Sequence, residues 1–377
     1  MMQRSLPLSG EEQCPPVLRH LQRLTRSFVH EGQCISYVHV YAYPVGPGRE
    51  PPLTFITAQD CGFEGIACVD DAARAAILAL RVHEETGSAA ALRLARDWLG
   101  FVTYMQEPDG RFTNFIMDEA GTKNRHGRTS YAGGPWWTTR ALWALATAWR
   151  VTGDEGYLRH FRRGRLTPTR DMKVKGVQAL ALMELYQCRP EERLRRRICA
   201  LCDAIVAGGP AYFRDRVGQA EVALWGYHQL QAVAQAAHLF SRLDYAAACA
   251  STVHNLVEPV VDNGFYETYP SRRDPQCAYC VSTLVVGLEE LYRLTHAPSY
   301  RDLALACAAW LDGNNPAGVA LYDADTGRCA DGVTAGTVSP HCGAESAVEA
   351  GFVELARRHL QGRERVPEVS ISSQLAR

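Results

Sequence analysis

Arg150-Val151-Thr152-Gly153-Asp154-Glu155-Gly156-Tyr157 has a counterpart in Arg293-Leu294-Thr295-His296-Ala297-Pro298-Ser299-Tyr300, and the two share an Arg–x–Thr–x–x–x–x–Tyr frame. In each, apolar helical spacing stops at a breaker, Gly or Pro, and resumes after a residue that can cap a new helix, Asp or Ser. A break of this length folds the chain back as an antiparallel helical hairpin. Equally short links stand at Glu84 to Gly87, Cys188 to Pro190 and Ser241 to Asp244.

Working outward from these corners, apolar periodicity predicts about twelve helices, over 15–30, 69–85, 88–106, 136–152, 154–163, 172–187, 190–206, 220–241, 243–258, 277–296, 298–312 and 343–360. Val38 to Tyr43 is the best short strand candidate. The links before the even-numbered helices (31–68, 107–135, 164–171, 207–219, 259–276 and 313–342) are mostly long and rich in Gly, Pro, Asn, Asp and aromatic residues. About six repeats of helix, short corner, helix, long loop predict a repeat architecture. Closed on itself, it is an all-α toroid of six inner and six outer helices. The even helices are the more apolar set (Ala72 to Leu80, Ala141 to Ala148, Val222 to Leu239, Val281 to Leu288) and are expected inside. Residues 1–360 read as one domain, and the polar stretch 361–377 as a disordered tail.

The totals narrow the function class. Of 377 residues 21% are charged and the net charge is -1, which gives no electrostatic reason for nucleic acid or an acidic membrane as partner. The basic stretches Arg159 to Lys175 and Arg189 to Arg197 read as solvated outer helix faces. No window reaches the roughly 18 apolar residues of a membrane span. Met1 to Gln13 carries Arg4, Pro7, Glu11 and Glu12 and no apolar segment of a secretory signal. Thirteen scattered cysteines then favour reduced thiols and a cytoplasmic location. Cys199-x-x-Cys202 and Cys277-x-x-Cys280 would hold zinc only if the pairs met in space, which their spacing does not ensure, so no metal is assigned. Walker, dinucleotide-binding, His-Glu-x-x-His and Gly-x-Ser-x-Gly motifs are absent, and no cofactor is implied.

Long loops carry function, so a pocket is expected where the even helices begin, at free N–H groups and the positive end of each helix dipole. Acidic and aromatic residues gather at those starts. Asp70 and Asp71 precede Arg74 by four and three residues, within ion-pair reach. One of the pair is expected to cap the helix while the other points into the ring, and two adjacent carboxyls resist ionising together. Glu345 opens the last inner helix, with Glu349 one turn on, and Glu267 and Glu221 are further acidic candidates. Trp136 and Trp137 are adjacent, so one of them faces inward as a stacking platform. Arg74, Asn114, Arg140, Trp225, His228, Tyr266, Tyr279 and His341 complete the candidate binding set, and Gly110 to Phe115 reads as a tight turn into a hairpin over the pocket. Aromatic faces, carboxylates and guanidinium groups on one rim suit a sugar.

The run Gly62 to Ala75 resembles the helix opening of bacterial six-hairpin glycosidase-like proteins. So do Phe101 to Phe115, Trp136-Trp137 with Arg140 to Leu145, and the ending that holds Leu321-Tyr322-Asp323, Thr326-Gly327 and Gly343-Ala344-Glu345-Ser346. The resemblance covers most of residues 60–355 and implies an (α/α)6 toroid. It leaves the reaction open, since that superfamily includes hydrolases, epimerases, phosphorylases and lyases. His341-Cys342 stands where Asn precedes Gly-Ala-Glu-Ser in the similar proteins.

The expectation is a glycoside hydrolase acting on an oligosaccharide or glycoconjugate. Asp70 or Asp71 would work with Glu345 or Glu267 as acid and base, with inversion favoured and the carboxyl groups roughly 6.5–9.5 Å apart. A sugar epimerase or isomerase using His228 and His341 is the alternative, followed by a lyase. A non-catalytic sugar-binding protein is the reading outside enzymes.

Overall fold

A computed structural model describes residues 13–362. In chain order its helices are α1 (Pro16–Leu24), α2 (Val69–Thr86), α3 (Ala89–Tyr104), α4 (Pro135–Thr152), α5 (Glu155–Arg163), α6 (Met172–Cys188), α7 (Glu192–Gly208), α8 (Gln229–Phe240), α9 (Leu243–Thr252), α10 (Glu258–Asn263), α11 (Ala278–Thr295), α12 (Pro298–Ala308) and α13 (Ala344–Gly362). A π turn, Val253–Val257, joins α9 to α10. Helices α2, α4, α6, α8, α11 and α13 pack each on the next, and α13 closes back onto α2. Outside them lie α3, α5, α7, α9 and α12, each packed on the inner helix before it, while α1 packs on α13. This is an all-α (α/α)6 toroid.

The corners after α2 and α4 work as their sequences predict, whereas the one after α11 stops at His296, φ 54°, and restarts with Pro298 in the first turn and no side-chain cap. Gly87 and Gly153 end α2 and α4 at φ 73° and 70°, the left-handed conformation glycine adopts without strain. Ser88 and Asp154 then cap the following helices through their side chains. Inner helices have neighbours on every side, so α2 is buried continuously from Val69 to Leu80. Small residues let them approach closely. A Cβ on Gly351 of α13 would lie 2.5 Å from Leu78 of α2, and one on Gly287 of α11 would lie 2.8 Å from Leu230 of α8.

Three boundaries depart from the sequence reading. The first helix ends at Leu24, not near 30: Thr25–His30 is a strand paired with Gln33–Val38. Glu31 and Gly32, both at positive φ, form the two-residue turn between them. The helix expected over 220–241 starts only at Gln229. Val222–Ala223 instead pairs with Thr268–Tyr269, and Gly226 turns the chain at φ 70°. The candidate strand Val38 to Tyr43 is the junction of two strands, because a second hairpin pairs Tyr41–Pro44 with Leu53–Ile56. The polar tail runs outside the described residues beyond Gly362, as does the opening segment before Gln13.

The long loops gather at one end of the ring and are stitched together there. Ala67–Cys68, before α2, pairs with Phe115–Ile116, before α4. The bridge of Val222–Ala223 to Thr268–Tyr269 does the same for α8 and α11. No helix among the described residues is long and apolar enough to cross a membrane.

Candidate functional site

At the start of α2 the expected division of labour between Asp70 and Asp71 does not hold. Cys68 is the cap, its Sγ accepting the Asp71 N–H at 3.4 Å, and the Asp70 N–H goes to Asn114 Oδ1 at 3.4 Å. With the helix end satisfied by these two, both carboxylates turn to the centre of the ring. Asn114 is thus a positioning residue, and its Nδ2 is anchored on the Thr129 carbonyl at 3.0 Å.

The centre is built on two buried arginines. Arg74 Nη2 lies 2.6 Å from Asp71 Oδ1 and 3.0 Å from Glu345 Oε2, and its Nη1 lies 2.6 Å from Glu349 Oε1. Asp70 Oδ1 is 3.2 Å from Arg74 Nε and 2.5 Å from Arg140 Nη1. Arg140 also donates to the Tyr279 hydroxyl, and Ser282 donates to Glu349. Four carboxyl groups therefore face two guanidinium groups.

That excess of acid in a buried place sets the protonation states. Burial pushes the Asp71 carboxyl up to about 7, Arg74 pulls it down, and Glu345 and Asp70 push it further up. Burial also raises Glu349, against Arg74 and Ser282. Arg74 itself is held charged. Burial opposes its charge, but the surrounding carboxylates overcome that penalty. Glu345 is the most open of the four, its side chain 30% exposed against 2% for Glu349.

Aromatic rings wall the same space. Trp136 and Trp225 meet edge to face with centroids 5.5 Å apart, and Tyr279 lies 5.0 Å from Trp225. The Arg140 guanidinium sits over all three rings, between 5.0 and 5.8 Å from their centroids. Trp225 donates its indole N–H to Glu345 Oε1 at 3.0 Å. Trp136 and Trp225 are only half-buried, so this face opens to solvent. Below them His228 Nε2 meets the Tyr279 hydroxyl at 3.1 Å. Burial, then Arg140, lowers the His228 pKa far below its ordinary value and keeps the ring neutral.

Several expected residues stand apart from this cluster. Trp137 donates to the Phe112 carbonyl at 2.8 Å and belongs to the core, so Trp136 is the inward member of the pair. Glu267 holds the loop through its backbone, accepting from Leu224 N–H at 2.7 Å, and its carboxylate does not reach the arginines. Glu221 lies 3.7 Å from Arg273. Tyr266 is fixed by a bridge to Gln276, and His341 sits at the rim beside the rings of Tyr41 and Tyr43.

Two residues outside the candidate binding set join the cluster. Lys173, inside a stretch read as solvated, is buried, with its Nζ 3.1 Å from the Trp225 carbonyl and 5.3 Å from the Trp136 centroid. Its place at the start of α6, one of the six inner-helix openings, is the signal that marks it in the sequence. Tyr41 donates to Asp60 at 2.7 Å, and burial, Asp60, Glu345 and Asp71 all push its hydroxyl pKa up. No sequence pattern links Tyr41 to those carboxylates.

Among the described residues no three His, Cys, Asp or Glu side chains converge as metal ligands. A cavity of about 260 Å³ lies at the opposite, short-corner end of the ring. Its charged walls are largely spent on one another: Arg150 pairs with Glu84 and Glu184, Arg293 with Glu289, and His359 with Glu85. The half-open Trp136–Trp225–Glu345 face, fed by six loops, is the better candidate.

No protein-family model and no curated protein matches the chain. Solved structures do. A sugar epimerase from a ruminal bacterium aligns at 13% identity and TM-score 0.64, covering 91% of this chain and 96% of its own. Cellobiose 2-epimerase from Spirochaeta thermophila aligns at 15% identity and TM-score 0.61, over 78% of this chain and 86% of its own. A family 76 glycoside hydrolase from a bovine Bacteroides thetaiotaomicron strain aligns at 13% identity and TM-score 0.59, over 90% and 76%. These belong to the six-hairpin glycosidase-like superfamily, and at such identities the likeness shows its toroid fold in this chain.

Proposed function

We propose that this chain is a carbohydrate-active enzyme, a glycoside hydrolase that works as one domain and uses Asp71 and Glu345 as its carboxyl pair. The observation that carries this reading is that both carboxylates touch one nitrogen of Arg74, at 2.6 and 3.0 Å. Their contacting oxygens are therefore no more than about 5.6 Å apart, the two distances laid end to end. That bound lies below the roughly 6.5–9.5 Å of an inverting pair and is compatible with a retaining one.

The roles follow from environment. With its pKa raised to about 7, Asp71 keeps its proton in about half of the molecules at neutral pH and donates it to the leaving glycosidic oxygen. Glu345, open to solvent and steered by the Trp225 indole, attacks the anomeric carbon, and the bond to the leaving oxygen breaks. Water then attacks the glycosyl–Glu345 ester. Asp71 takes the proton from that water, and Glu345 leaves as a carboxylate. Trp136 and Trp225 stack the sugar, and Arg140, buried against their rings, holds Asp70 and the aromatic wall in place. The similar fold of named sugar epimerases and a glycoside hydrolase supports a sugar substrate.

An oligosaccharide panel, with the first-formed anomer read by proton NMR, tests this. Hydrolysis with retention is expected. Inversion would contradict the close pair. Isomers without cleavage would favour an epimerase, for which His228 is poorly placed beneath Tyr279. Binding without turnover would leave a sugar-binding protein.

A further inference from the structure

The proposed chemistry leaves one motif unused, Cys277-x-x-Cys280. Cys277 is the residue that begins α11 from an extended conformation (φ -136°, ψ 163°), and Cys280 lies three residues on, in the first turn. Side chains at the cap and three residues later face each other at any helix start, the relation that a capping box exploits. Here it brings two thiols into contact, Sγ to Sγ 3.4 Å, both buried. The same spacing inside α7 does not do so, since the Cys202 thiol reaches the Ala232 carbonyl instead, at 4.0 Å.

We propose that Cys277 and Cys280 form a reversible disulfide when the protein meets a small peroxide, making the start of α11 an oxidation site. Cys277, the more accessible of the two, attacks the peroxide oxygen as a thiolate and becomes a sulfenic acid, releasing hydroxide. Cys280 then attacks the Cys277 sulfur, the S–S bond forms, and the oxygen leaves as water. Two thiols are oxidised by two electrons while hydrogen peroxide is reduced to two waters. The pair is built for that second step, because a neighbouring thiol at contact distance captures a sulfenic acid before it climbs to the irreversible sulfinic acid. Burial admits a small oxidant more readily than a bulky disulfide. The hydrogen bond to Cys280 and burial push the Cys277 thiol up, so the reaction is slow at neutral pH and quickens in alkali. The site sits against the candidate pocket. Tyr279 lies between the two cysteines in sequence, and Glu345 acts electrostatically on Cys277. Closing the sulfurs to the roughly 2.05 Å of a bond tightens the turn that presents Tyr279.

Peptide mapping of the full chain tests this without any substrate. Trypsin releases Asp274–Arg293, which contains both cysteines and no others. After treatment with hydrogen peroxide and alkylation, that peptide is expected two hydrogens lighter and unalkylated, and dithiothreitol should restore two alkylated thiols. In Cys280→Ser the lone Cys277 should instead pass to the sulfinic acid and resist dithiothreitol. The proposal is overturned if the wild-type peptide still carries two alkylated thiols once the exposed Cys34, Cys61 and Cys188 have been oxidised. It is overturned equally if the wild-type peptide gains oxygen atoms and forms no disulfide.

Discussion

Asp71 and Glu345, from the first and last inner helices, are held on a single nitrogen of Arg74, at 2.6 and 3.0 Å. The ring is closed where α13 meets α2, and this three-residue contact lies across the closure. The proposed carboxyl pair and the closure of the ring therefore share the same atoms.

Replacing Arg74 with Met should be costly. It leaves Asp70, Asp71 and Glu349 in a buried space with too few cations, and breaking one side of a buried ion pair costs roughly 3–5 kcal/mol. Urea denaturation at pH 7 should show that loss, and the gap should narrow at pH 5 as the carboxyls take up protons. A loss under about 1 kcal/mol at pH 7 would mean that the arginine does not compensate this cluster.

The raised Asp71 pKa makes a prediction about pH and stability. The folded value is about 7 against an ordinary 3.8. Between those values the native chain keeps a proton that the unfolded chain has released. Stability from this group is therefore complete below 3.8 and declines as pH rises to 7. Asp71→Asn cannot ionise, so thermal melts should show the variant gaining on the wild type from pH 4 to pH 8. A difference that stays flat over that range would contradict the raised value. In turnover, kcat/KM should fall on the alkaline side with an apparent pKa near 7, as proton donation fails.

The two neighbouring tryptophans should separate binding from stability. Trp137→Ala removes a buried ring and its bond to Phe112, and such truncations cost about 3–5 kcal/mol. Trp136→Ala should melt close to the wild type yet weaken sugar binding by roughly two- to tenfold, an aromatic contact being worth about 0.5–1.5 kcal/mol beyond its buried area. Isothermal titration beside thermal melts reads both. Equal destabilisation with equal binding loss would remove Trp136 from its role as a platform.

The frame was legible wherever the signal was local. The Arg150–Tyr157 corner states its own geometry in eight residues, and the Asp70, Asp71 and Arg74 spacing sets an ion pair within one helical turn. Signals that depend on a partner elsewhere were not legible. Thr25–His30 continues an apolar helical pattern, yet it pairs with Gln33–Val38, and only the tertiary pairing decides between them. Trp225 was placed in a helix, but the pairing of Val222–Ala223 with Thr268–Tyr269 holds it in a turn, from which its indole reaches Glu345. Lys173 stands at the opening of an inner helix, yet the basic stretch around it reads as a solvated face, and only the packing decides between the two. Cys68 took the capping role expected of an Asp, because a thiol already fills the cap position and leaves both acids free.

The most direct test of the central claim is turnover by Asp71→Asn and Glu345→Gln beside the wild type, on whichever oligosaccharide the wild type cleaves best. Both variants are predicted to fold; Asp71→Asn should lose hydrolysis by about 10²–10⁴-fold, the share that proton donation supplies, and Glu345→Gln, without its attacking carboxylate, should lose at least as much. Hydrolysis at wild-type rates in either folded variant would contradict the assignment of these two carboxyls as the reacting pair.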